Sequence, residues 1–105
     1  IELGNIDVAR DFSDVRDLAR PYRIILDSSI SSDGINICSS EAITIKDIIA
    51  MAQKITGHEI ELRVNHGLVR ASDIKILKGD NSRLRALGYS RRYAMKETMK
   101  WMLGV

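Results

Sequence analysis

The chain has 105 residues, 45% of them hydrophobic but only 5% aromatic, and its 16 basic and 14 acidic side chains leave a net charge of +2. That length supports one modest core of Ile, Leu, Val and Met, and the interleaved charges exclude a general nucleic-acid binder, which would carry a basic stripe with aromatics. No apolar run reaches the ~20 residues of a membrane span, while the single cysteine, Cys38, excludes an internal disulfide and fits a reducing, cytoplasmic setting.

In chain order, Ile1 to Leu3 reads as a short strand, Gly4-Asn5 as a turn and Ala9 to Phe12 as a second strand. Asp14 is placed to cap a helix, with Asp17 three residues on in a capping-box-like relation, and Leu18, Tyr22, Ile25 and Leu26 spaced as its apolar face. This helix is expected to run to about Asp27, with Pro21 removing one backbone donor inside it. Residues 28–34 form an exposed loop, and Ile35 to Cys38 a short strand.

Thr44 and Asp47 mark the start of the clearest helix, whose stripe is Ile45, Ile48, Ile49, Ala52 and Ile55 and whose end is Gly57. Glu59 to Val64 alternates like a half-buried strand. Residues 65–79 are irregular, Asn81 caps a short helix through Leu87 before Gly88, and a last helix spans about Tyr93 to Leu103, with Met95, Met99 and Met102 on one face. The chain opens at Ile1 within an apolar run and reads as a fragment of something longer.

A pyrophosphate attracts guanidinium groups with their paired donors, and a ribose diol suits one carboxylate that accepts from both hydroxyls. Arg10 and Arg70 with Asp73 are a candidate set of that kind. Taken singly, the same residues have plainer readings. Arg10 beside Asp11 is a solvated ion pair at a strand end, and Arg70 with Asp73 are loop residues satisfying their own backbone. Cys38 reads as a small buried hydrophobe, His58 and His66 are too few for a zinc site, and Arg91-Arg92 is a solvated pair. No residue qualifies as catalytic or metal-binding.

Leu3-Gly4-Asn5-Ile6-Asp7, Arg10-Asp11-Phe12 and Asp14-Val15-Arg16-Asp17 resemble extended short-chain dehydrogenases/reductases that act on nucleotide-sugars, in particular GDP-mannose 4,6-dehydratases and GDP-4-keto-6-deoxy-mannose reductases. The resemblance continues through Gly34 to Ser39, Thr44 to Ile48, Arg70-Ala71-Ser72-Asp73, Leu77 to Leu84 and Leu87-Gly88-Tyr89. It implies an α/β chain comprising the last strand and helix of a Rossmann-type domain (residues 1–40) and a small α/β substrate-binding cap (residues 41–105).

It further implies that Arg10 and Arg70 serve the substrate's diphosphate and Asp73 the nucleotide ribose, with a GDP-sugar as partner. The parent would be a homodimer or homotetramer using NADP or NAD, bound by an N-terminal part absent from this chain. Consistent with that absence, there is no Gly-x-Gly-x-x-Gly here and no Tyr-x-x-x-Lys, so the fragment alone is expected to be inactive. Three positions depart from the family: Ala71 stands for a usual proline, Ser40 for a glycine and Pro21 for a small residue. Phe12 and Asp73 favour a reductase, since the dehydratases usually carry Trp and Glu there. The alternative is a stand-alone nucleotide-binding or interaction module without catalysis.

Overall fold

A computed structural model describes residues 1–31 and 34–105, so Ser32 and Asp33 of the expected 28–34 loop lie outside the described residues. In chain order the elements are β1 (Glu2–Leu3), β2 (Ala9–Asp11), α1 (Val15–Leu26), β3 (Ala42–Thr44), α2 (Ile45–Thr56), β4 (Arg63–Val64), a 3-10 turn (His66–Leu68), β5 (Ile76–Leu77), α3 (Ser82–Ala86) and α4 (Met95–Leu103). β2 is the centre of a three-stranded sheet in the order β3-β2-β5, antiparallel to β3 and parallel to β5. The sheet thus joins residues from both expected segments, 1–40 and 41–105, by backbone hydrogen bonds. β1 and β4 form a separate parallel pair.

The α1 helix starts where the Asp14 carboxylate accepts from the Arg16 N–H at 2.8 Å. It runs unbroken through Pro21, which is buried. Two expectations for this helix are corrected. Asp17 does not complete a capping box but turns away to accept from the backbone N–H groups of Arg92 and Tyr93. Nor do Leu18, Tyr22, Ile25 and Leu26 form the inward face: Tyr22 is 63% exposed and Leu26 81%. The buried line is Asp14, Asp17 and Pro21, because the hydrogen-bond partners of the two carboxylates lie on that side.

The α2 helix matches expectation. The Thr44 hydroxyl accepts from the Asp47 N–H at 3.0 Å and donates to Asp47 Oδ2 at 2.6 Å, and Gly57 closes the helix in the left-handed region at φ 72°. The expected strand at Ile35 to Cys38 is not one. Its following backbone is claimed by side chains instead of a ladder: Cys38 C=O accepts from Asn81 Nδ2, and the Ser39 and Ser40 N–H groups donate to Asp11. The expected strand 59–64 contracts to Arg63–Val64. In α3 the cap role of Asn81 passes to Asp80, whose Oδ1 accepts from the Ser82 N–H at 2.8 Å. In α4 the Glu97 carboxylate accepts from the Ala94 N–H at 2.9 Å and fixes the helix start.

Helices α1 and α4 are locked by one polar joint. Asp14 accepts from Arg16 Nε and Nη2 and from the Thr98 hydroxyl, while the Arg16 guanidinium lies 3.8 Å from the Tyr93 ring centre and 4.4 Å from that of Trp101. Among the described residues the buried apolar side chains are few: Val8, Ala9, Pro21, Leu84 and Tyr89. The molecule is a slab, 49 × 37 × 14 Å, with a radius of gyration of 16.5 Å, against ~13 Å for a compact chain of this length.

Candidate functional site

β2 carries two neighbouring charges that point to different work. Arg10 sits in register with Leu77 of β5 and Ile43 of β3. Its Nη1 donates to the carbonyls of Ala9 at 2.9 Å and Ile74 at 2.8 Å, and its Nη2 to Asp73 Oδ1 at 3.0 Å. The strand-end pair expected between Arg10 and Asp11 is therefore replaced by a cross-chain pair with Asp73, 63 residues on. A guanidinium has five N–H donors. Arg10 commits three of them to the protein and, among the described residues, keeps Nε–H and one Nη2–H without a partner. Asp73 keeps its second oxygen, Oδ2, without a hydrogen bond among the described residues.

Asp11 is the organiser that the sequence did not single out. Its two oxygens accept from the Ser39 N–H and hydroxyl, the Ser40 N–H and the Gly79 N–H, at 2.6 to 3.2 Å. Burial alone would raise its pKa, but these four donors outweigh it and hold the carboxyl below its ordinary value. The nearest signal in the sequence is the Ser39-Ser40 pair, which offers two backbone donors and a hydroxyl together. Ser40 adopts φ 62°, a left-handed conformation that a glycine would take without steric cost.

Gly79 lies close against Cys38: a Cβ there would stand 2.5 Å from Cys38 Sγ, so a side chain would force a shift. Cys38 is half-buried, not the fully buried hydrophobe expected, and its sulfur lies 3.8 Å from the Ser40 hydroxyl.

An open hollow of about 280 Å³ lies against this corner, lined by Arg10, Asp11, Leu77, Lys78 and Gly79. Arg70 is exposed in the turn that leads to Asp73 and makes no hydrogen bond or ion pair among the described residues; it is not on the wall of the hollow. The structure therefore brings Arg10 and Asp73 into contact and leaves Arg70 in the adjoining loop. A larger groove of about 590 Å³ separates α2 from α4, lined by Ala50, Met51, Lys54, Ile55, Lys96 and Lys100. It shares no residue with the arginine–aspartate pair.

Arg91, expected to be a solvated charge, pairs with Glu41 at 2.9 Å. Among the described residues no group of three or more His, Cys, Asp or Glu is arranged to hold a metal, and no helix is long and apolar enough to cross a membrane.

Comparison with known proteins gives a consistent picture. The family model for GDP-mannose 4,6 dehydratase matches residues 1–102. The GDP-6-deoxy-D-talose 4-dehydrogenase of Aggregatibacter actinomycetemcomitans is 34% identical over 94 residues, which is 89% of this chain and 32% of that protein. The GDP-6-deoxy-D-mannose reductase of Pseudomonas aeruginosa is 27% identical over 98% of this chain and 34% of its own length. The solved structure of RMD from Pseudomonas aeruginosa in complex with NADPH superimposes with a TM-score of 0.89 at 28% identity, over 99% of this chain and 34% of that one. The chain spans about a third of the length of the relatives it matches.

Proposed function

Because the chain belongs to the GDP-mannose 4,6-dehydratase family of extended short-chain dehydrogenases/reductases, we propose that it forms the nucleotide-sugar-binding portion of an NAD(P)-dependent enzyme. The substrate would be a GDP-linked 4-keto-6-deoxyhexose or GDP-mannose. The observation that carries the reading is the Arg10–Asp73 pair, built at the edge of an open hollow and still holding spare donors and a spare acceptor.

In this reading the two remaining N–H groups of Arg10 take phosphate oxygens, Asp73 Oδ2 accepts from the ribose hydroxyls, and Arg70 swings in from its turn to the diphosphate. Holding the GDP end fixes the sugar and its C4 relative to whatever acts on it, which is how remote binding energy aids a reaction. These residues do not fit a dinucleotide cofactor. The left-handed glycines Gly57, Gly88 and Gly104 all sit at helix C-termini, none at the strand-to-helix turn that cradles a pyrophosphate. The hydride chemistry would therefore belong to residues beyond this sequence.

Arg70 is the residue to test, because its removal breaks no contact among the described residues. In the full-length protein, Arg70→Ala is expected to weaken GDP-mannose binding by about 1.5–3 kcal/mol, the usual worth of a charge-assisted hydrogen bond. Calorimetric titration reads this directly, and an unchanged Kd would remove Arg70 from the site.

A further inference from the structure

We propose that Lys78 is a substrate-binding residue that meets the ligand's diphosphate, an assignment that rests on the GDP-sugar reading above. At the hollow beside β2, Arg10 is neutralised by Asp73 at 3.0 Å, so the pair offers donors but little net field. Asp11, the next residue on the same wall, is kept ionised by the four donors it accepts and adds a negative charge. Arg10, Asp73 and Asp11 together therefore carry a net charge of −1, which repels a diphosphate.

Lys78 is the one further charged side chain that lines the hollow, and it makes no ion pair or hydrogen bond among the described residues. Its backbone position is fixed on both sides. Leu77 is paired with Arg10 across the parallel ladder, and the Gly79 N–H is held by Asp11 at 3.2 Å. Lys78 is thus anchored by its backbone at the wall of the hollow and is exposed, with a long stem that can reach a ligand there. A compact ammonium contributes a point charge where Arg10 contributes geometry. In this division Arg10 orients the phosphates, while Lys78 offsets the −1 left by Arg10, Asp73 and Asp11 and brings the one positive charge at the hollow that no carboxylate of the described residues pairs.

The test uses the full-length protein as wild type, Lys78→Ala and Lys78→Arg, with GDP and GMP as probes in calorimetric titrations at about 50 and 200 mM salt, either side of an ~8–10 Å screening length. Lys78→Ala is expected to weaken GDP about tenfold, to weaken GMP far less and to flatten the salt dependence, while Lys78→Arg restores affinity to within about threefold. Lys78→Ala binding GDP within about twofold of wild type would overturn the assignment, as would equal losses for GDP and GMP. Wild type that binds neither a GDP-sugar nor GDP would instead overturn the function proposed above. Thermal melts of the variants, expected to coincide with wild type, separate a binding loss from a folding loss.

Discussion

At the scale of the residue, two buried or half-buried carboxylates hold distant segments together, and both are predicted to matter through their hydrogen bonds. Asp11 gathers Ser39, Ser40 and Gly79, so Asp11→Ala leaves four donors without their acceptor. A loss of about 2–3 kcal/mol in urea unfolding is expected, and a loss under ~0.5 kcal/mol would mean that solvent replaces the carboxylate freely. Asp14 is held well below the usual carboxylate range, first by the Arg16 side chain, against the opposing effect of burial, and also by the Thr98 hydroxyl and the Arg16 N–H. Its folded pKa is depressed relative to an unfolded value of ~3.9, so the unfolded chain takes up the proton first as pH falls. The stability it confers is fully present above pH ~4 and is lost as pH drops below that. Thermal melts of wild type and Asp14→Asn should differ most at neutral pH and converge in strong acid; a constant difference down to pH ~2 would contradict this origin.

At the scale of the element, the contact between the Cys38 turn and the loop after β5 tests how tightly the site is built. Gly79→Ala would place a Cβ 2.5 Å from Cys38 Sγ and 3.0 Å from Cys38 Cβ, so the turn must move. The expected cost is about 1–3 kcal/mol. Cys38→Ala removes the sulfur, and the double variant should recover a good part of that loss; strictly additive losses in a double-mutant cycle would show that the two residues are not in contact. This region also shows where the sequence could and could not be read. The α2 helix was legible from Thr44 to Gly57 because cap, stripe and terminator are local signals that no tertiary contact overrides. The α1 helix was legible in extent but not in orientation, since its inward line is Asp14, Asp17 and Pro21, and a period of apolar residues cannot reveal a face held by buried carboxylates. The strand expected at Ile35 to Cys38 failed for a related reason: the backbone donors just beyond it go to a carboxylate 28 residues earlier. At the site, Arg10 and Asp73 were legible as residue types, whereas their mutual pairing and the role of Asp11 depend on β2 lying between β3 and β5.

At the scale of the whole molecule, a slab 14 Å thick cannot bury both sides of its elements, and the exposed apolar residues show the consequence. Tyr22 and Leu26 on α1, and Met102 and Val105 at the α4 end, stand 63, 81, 70 and 70% exposed. The covered apolar set among the described residues is Val8, Ala9, Pro21, Leu84 and Tyr89, too small by itself to hold a domain of this length, given that each well-buried side chain contributes only about 1.5–3 kcal/mol. The polar joint of Asp14, Arg16 and Thr98 with Tyr93 and Trp101 therefore carries an unusual share of the cohesion between α1 and α4. Expressed by itself, this 105-residue chain is expected to cover its apolar surface by self-association and to bind a hydrophobic dye. Sedimentation equilibrium should return an average mass that rises with concentration. A chain that stays strictly monomeric, binds no dye and unfolds cooperatively would show that the slab is a self-sufficient domain, and that the exposed faces of α1 and α4 need no cover.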